Sequence, residues 1–128
     1  MSVQNLSLGQ INLFECPCNV TGAITGTSTI TFRRLNGLVN ISFPILATAV
    51  GVSGPTITYT PTVTVPDQYK PTAGVFRFIS VSNNGTTALG TLLFPNSFSS
   101  FTVQLQAGGN FTGTSGVVDN TILYQSLN

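Results

Sequence analysis

Three features of this 128-residue chain predict an all-β domain, a β-sandwich of jelly-roll topology with about eight strands. Apolar and polar residues alternate with period two along most of the chain. Gly- and Pro-containing turn signals separate the alternating runs. Uncharged polar residues are very abundant, with Thr, Ser, Asn and Gln making up 48 of 128 positions while only 5% are charged. β-Branched Thr fits the pleat and offers water a hydroxyl, so Thr rows make a solvated face without charge.

The expected strands follow in order. Residues 1–19 are patterned more weakly and read as a lead-in segment with one short strand at 11–15, ahead of a sandwich domain at 20–128. From Ile24 to Arg33, Thr25, Thr27, Thr29 and Thr31 oppose Ile24, Ile30 and Phe32, which predicts a strand at 23–34. Asn36-Gly37 suits a type I′ hairpin, because both residues tolerate positive φ, and it leads into a strand at 38–48 through Val39, Ile41, Phe43 and Ile45. Thr56, Thr58, Thr60, Thr62 and Thr64 against Ile57, Tyr59, Val63 and Val65 give a strand at 56–65. Further strands are expected at 74–82, 87–94, 98–106 and 117–125, punctuated by Asn83-Asn84-Gly85 and Pro95-Asn96. No stretch has helical periodicity, and no internal repeat is visible.

Composition removes several functions. The chain has no His, which excludes a Ser-His-Asp triad and a His-ligated metal site. Four Lys or Arg residues cannot supply the footprint of nucleic-acid binding. The uncharged stretch between Arg34 and Asp67 is broken by Asn36, Gly37, Pro44 and Gly54-Pro55, so it is strand and not a membrane span. The opening residues carry neither a basic region nor an apolar core, so no secretory signal is expected. Cys16 and Cys18 are too few for a disulfide framework or a metal site and are expected as free thiols in a turn, in keeping with a reducing compartment. The carboxylates Glu15, Asp67 and Asp119 read as solvated or capping groups rather than a glycosidase pair. No enzyme activity and no cofactor are expected. Five Asn-x-Ser/Thr sequons, at Asn5, Asn19, Asn40, Asn84 and Asn110, are read as composition.

Two places invite a binding role. The run Val75 to Val81 is apolar on both faces, with Phe76 and Phe78 opposite Val75, Ile79 and Val81, so something must cover its outer side. A second copy of the chain is the favoured cover, and the N-terminal segment is the other. Arg77, between the two Phe residues, is expected either to pair with Asp67 or Asp119 or to reach out to the sheet edge. The glycine-rich loop 107–116 holds Asn110, Phe111 and Thr112, where Phe111 either stacks on a sugar ring or folds back onto the core.

Val65-Pro66-Asp67-Gln68-Tyr69-Lys70-Pro71 resembles a corner in the trimeric head domains of phage and other viral fibres. Those heads carry a leucine-proline followed, after two or three residues, by tyrosine-arginine-proline, between a Thr-rich strand and an apolar one. Here Val65 stands for the Leu, Lys70 for the Arg, and Phe76-Arg77-Phe78 for the strand that follows. The hairpin Phe32 to Ile41, the runs Leu89 to Leu93 and Phe101 to Val103, and a final strand with Tyr124 keep the same order, so the likeness spans residues 24–126. Departures are Phe32 where an aromatic, often Trp, is usual, a longer Pro95–Ser100 connection, and no long stalk ahead of the head. The resemblance implies a homotrimeric, non-enzymatic virion component made in the host cytoplasm, with a host-surface glycan or protein as receptor, and the reducing-type cysteines and absent signal favour a large DNA virus of an intracellular host as its source. It places Tyr124 with Phe76, Arg77 and Phe78 at the trimer interface. Tumour-necrosis-factor and complement-type trimeric modules share a similar jelly roll, which leaves a soluble ligand or lectin as the alternative.

Overall fold

The computed structural model describes residues 12–126. Ten strands account for nearly all regular structure among them: β1 (Asn12–Gly22), β2 (Gly26–Leu35), β3 (Leu38–Phe43), β4 (Leu46–Ala49), β5 (Thr56–Pro61), β6 (Val75–Asn83), β7 (Thr86–Phe94), β8 (Phe101–Leu105), β9 (Thr114–Val117) and β10 (Asn120–Gln125). A single 3-10 turn, Asp67–Tyr69, lies between β5 and β6. The all-β, sandwich-like expectation holds.

All ten strands join one antiparallel sheet in the order β10-β3-β2-β1-β5-β8-β7-β6-β9-β4. Two meanders, β1-β2-β3 and β6-β7-β8, flank β5, which pairs with β1 on one side and β8 on the other. The sheet curls until β10 lies beside β6, so both meanders turn their apolar faces to a common core.

Turn chemistry fixes the register. Asn36 and Gly37 have φ of 53° and 82°, and Asn84 and Gly85 have φ of 54° and 77°, the two positive values a type I′ hairpin demands. Leu35 therefore faces Leu38, and Asn83 faces Thr86.

Several boundaries differ from expectation for identifiable reasons. The strand expected at 11–15 continues to Gly22 as β1, across position 19, and pairs with β2 over its length from Asn12 to Val20. Cys16 and Cys18 therefore lie in a central strand, buried, and not in a turn. The strand expected at 38–48 breaks after Phe43, where Pro44 has no N–H to donate, and resumes as β4. β5 ends at Pro61, short of the expected Val65. β9 takes up positions 114–116 of the stretch expected as loop and runs on to Val117.

The core is continuous and strongly aromatic. Phe32, Phe43, Phe94, Phe101, Phe111 and Tyr59 are the largest fully buried side chains. Phe94 sits at its centre, with ring centroids 4.8 Å from Phe101, 5.3 Å from Phe98 and 5.9 Å from Tyr124. Burial of each such ring contributes about 1.5–3 kcal/mol, and edge-to-face pairs add roughly 0.5–1.5 kcal/mol more. The Thr rows of β2 and β5 face outward, as Ile30 and Phe32 in β2 and Ile57 and Tyr59 in β5 go inward.

Candidate functional site

Period two sends Val75, Ile79 and Val81 of β6 into the core and leaves Phe76 and Phe78 on the outer face, 55% and 60% exposed. Their rings meet edge to face at 5.7 Å. The β6–β7 register sets Phe76 opposite Leu93, and Leu89 lies diagonally from Phe78, both leucines about half exposed. This four-residue apolar patch is not covered by any described part of the chain. Residues 12–22 are held in the sheet as β1, and residues 1–11, the other part of the expected N-terminal cover, lie outside the described residues.

Across the seam from β6, the outer face of β10, β3 and β2 forms a pocket of about 280 Å³ lined by Leu123, Leu38, Asn40, Arg33 and Leu35. Arg33 donates through Nη1 to Ser42 Oγ at 3.3 Å, which holds the guanidinium along the pocket edge.

Side chains close the middle of the seam, and single backbone bonds close its ends, Val118 N–H to Ser80 O at 3.4 Å and Thr72 N–H to Gln125 O at 3.3 Å. Arg77 donates from Nη1 to its neighbour's carbonyl, Phe76 O, at 2.9 Å, and from Nη2 to Leu123 O at 3.1 Å. This exposed guanidinium therefore reaches the sheet edge, and the carboxylate partners expected for it are not used. Asp67 instead pairs with Lys70 at 3.1 Å on the surface. Asn120 completes the seam: its Nδ2 donates to Ser80 O at 2.8 Å and Val118 O at 2.7 Å, while its Oδ1 accepts from Ser80 N–H at 3.2 Å.

Tyr124 does not reach the outer face. It is buried beneath the seam, where its hydroxyl donates to Tyr69 O and its ring packs on Phe94 and Phe98. Burial pushes its phenol far above the ordinary value. Alternation explains the placement, since Ile122 and Tyr124 point inward while Leu123 points outward. The Val65–Pro71 corner docks through the same region: Tyr69 is buried, stacked on Phe14 at 5.5 Å and edge-on to Phe32 at 5.8 Å.

In the 107–116 loop the fold-back alternative is the one observed. Phe111 is fully buried, with its N–H on Gly54 O at 2.8 Å, so its ring does not face a ligand; Asn110 and Thr112 remain exposed. The loop is tied to the β6–β7 turn by Thr112 N–H on Asn83 Oδ1 at 3.0 Å and by Asn84 N–H on Thr112 O at 2.9 Å. Cys16 and Cys18 face the core with sulfurs 4.0 Å apart, and their hydrogen bond together with burial pushes the Cys18 thiol up. Among the described residues no three His, Cys, Asp or Glu side chains gather at one point, and no helix is long and apolar enough to cross a membrane.

No protein-family model matches this sequence. No curated protein matches it by sequence either. Solved structures do match by shape. The C-terminal receptor-binding domain of avian reovirus fibre sigmaC superposes with a TM-score of 0.60 at 14% identity, over 97% of this chain and 84% of that one. The reovirus attachment protein sigma1, solved in complex with alpha-2,3-sialyllactose, gives a TM-score of 0.52 at 13% identity, over 98% of this chain and 70% of that one. Identities this low establish the architecture alone. The chain has the fold of the head domains of reovirus fibre and attachment proteins.

Proposed function

We propose that the chain is the receptor-binding head of a viral fibre, a non-enzymatic component of the particle that assembles as a homotrimer and engages a glycan or protein on the host surface. The fold shared with two attachment proteins over nearly the whole chain carries this reading. The uncovered Phe76, Phe78, Leu89 and Leu93 patch supports assembly, since isolated monomers rarely expose contiguous apolar surface of this kind. The patch belongs at the contact between copies, and the Thr-rich faces of β2 and β5 remain for solvent and receptor.

Light scattering at micromolar concentration tests the assembly: three chains of 13.4 kDa give a particle of roughly 40 kDa. A species of one chain mass would overturn it. Binding of the labelled protein to an array of sialylated and neutral glycans and to host cells tests the receptor role. Saturable binding is expected, and its absence from both would refute an attachment function. Detection in purified particles tests the virion placement, and absence there would refute it.

A further inference from the structure

We infer that the copies join by a knob-in-pocket contact: Phe78, backed by Phe76, of one copy seats in the pocket formed by Arg33, Leu35, Leu38, Asn40 and Leu123 of the next. This rests on the homotrimer reading and specifies which two surfaces meet.

Three observations carry it. The first is complementarity. A pocket of about 280 Å³ with three leucines and one guanidinium on its wall suits an aromatic ring, because leucines give apolar contact and a guanidinium binds an aromatic face. Phe76 and Phe78 are the only phenylalanines among the exposed large hydrophobic residues described. The second is position. Knob and pocket are separate surfaces, β6 on one side of the seam and β10, β3 and β2 on the other. A patch that binds a different patch makes a head-to-tail contact, which gives a ring when its rotation closes at three copies and an open filament when it does not; a patch that binds itself stops at a pair. The third is area. Phe76, Phe78, Leu89 and Leu93 leave roughly 450 Å² of surface in water, and the three pocket leucines add roughly 250 Å², given the size of these side chains. One contact thus joins about 450 Å² of one copy to about 250 Å² of the next, and in a closed ring each copy gives both, about 700 Å² over its two contacts. Arg77, bonded to Leu123 O, joins the strand that carries the knob to the strand that gives one wall of the pocket.

Complementation by mixing tests this arrangement. Phe78→Asp spoils the knob and leaves the pocket intact; Leu38→Asp spoils the pocket and leaves the knob. Both positions are outward-facing and exposed, and circular dichroism with thermal melting verifies that each variant is folded. Each variant alone is expected to sediment as a single chain. Mixed at equal concentration, they regain one knob-in-pocket contact and give a species of about two chain masses, because the ring cannot close. Wild type that sediments as one chain would refute the trimer itself. Wild type that is trimeric, with a mixture that stays at one chain mass, would refute the knob-in-pocket contact alone. If either single variant remains trimeric, the contact is likewise refuted.

Discussion

The two buried phenols make alkaline stability a quantitative test of the core. Burial, together with the neighbouring Cys18, pushes Tyr59 far above the ordinary tyrosine value, and burial does the same to Tyr124. In the unfolded chain both ionise near pH ~10. A group whose folded value is raised keeps its proton in the native state while the unfolded chain loses it. Stability is therefore complete below the unfolded value and falls as pH rises above it. At about pH 11 the loss is ~1.4 kcal/mol for each phenol, about 3 kcal/mol for the two. Against a typical total of ~5–15 kcal/mol this is a large fraction. Urea unfolding at a series of pH values measures it directly, and near-ultraviolet tyrosinate absorbance reports when each phenol ionises. The Tyr59→Phe/Tyr124→Phe double variant removes this part of the loss and separates it from that of the Cys16–Cys18 pair. Equal slopes for wild type and the double variant above pH ~10 would show that the phenols are not buried as described.

At neutral pH the same two positions should respond in opposite directions. Tyr59→Phe removes a buried hydroxyl that has no hydrogen-bond partner and is expected to be neutral or stabilising by about 1 kcal/mol, whereas Tyr124→Phe orphans Tyr69 O and should cost about 1–2 kcal/mol in chemical denaturation. Gly116→Ala should be severe, because φ is +154° and a Cβ would stand 1.8 Å from Leu46 O; a loss above about 2 kcal/mol in urea unfolding is expected, and a tolerated substitution would contradict the β4–β9 pairing. Phe111→Ala should cost about 3–5 kcal/mol as a core deletion, and full stability with lost glycan binding would return that ring to a binding role. Between pH ~5 and 8 the melting temperature should change by only a few degrees, since the chain has no His and few carboxylates; a steep fall below pH ~6 would reveal an ion pair that matters to the fold.

Period and turn chemistry made most of the sheet legible. Asn36-Gly37 and Asn84-Gly85 announce their hairpins because few residue pairs tolerate two successive positive φ values, and the Thr rows announce the outer face. The outer apolar character of Phe76 and Phe78 follows from the same alternation. Illegible features depend on partners distant in the chain. β9 is hidden because Gly116 reads as loop, yet glycine is the residue that lets this strand approach Leu46. Phe111 sits among glycines, which left its ring between a ligand and the core, and its complete burial decides for the core. For Arg77 the alternation left a carboxylate partner and the sheet edge both open; the edge is where it goes, and its partner there, Leu123 O, is 46 residues away. The pocket could not be foreseen because one of its walls, Leu123, comes from β10, which pairs with β3 from far along the chain.

Side-chain closure between β6 and β10 also has a consequence for the order of folding. β10 docks on β3 by pairing Tyr124 with Val39, a contact between distant parts of the described chain. The two meanders can each form from neighbours in sequence, but the curl closes only when this late strand arrives. Until then β3 and the first part of β6, ahead of its short pairing with β9, are raw edges, and the aromatic core around Phe94 lies open to any passing chain. Arg77 and Asn120 thus act on a kinetic hazard as much as on equilibrium stability: their latch sets how long a nascent head spends as an aggregation-prone half-shell.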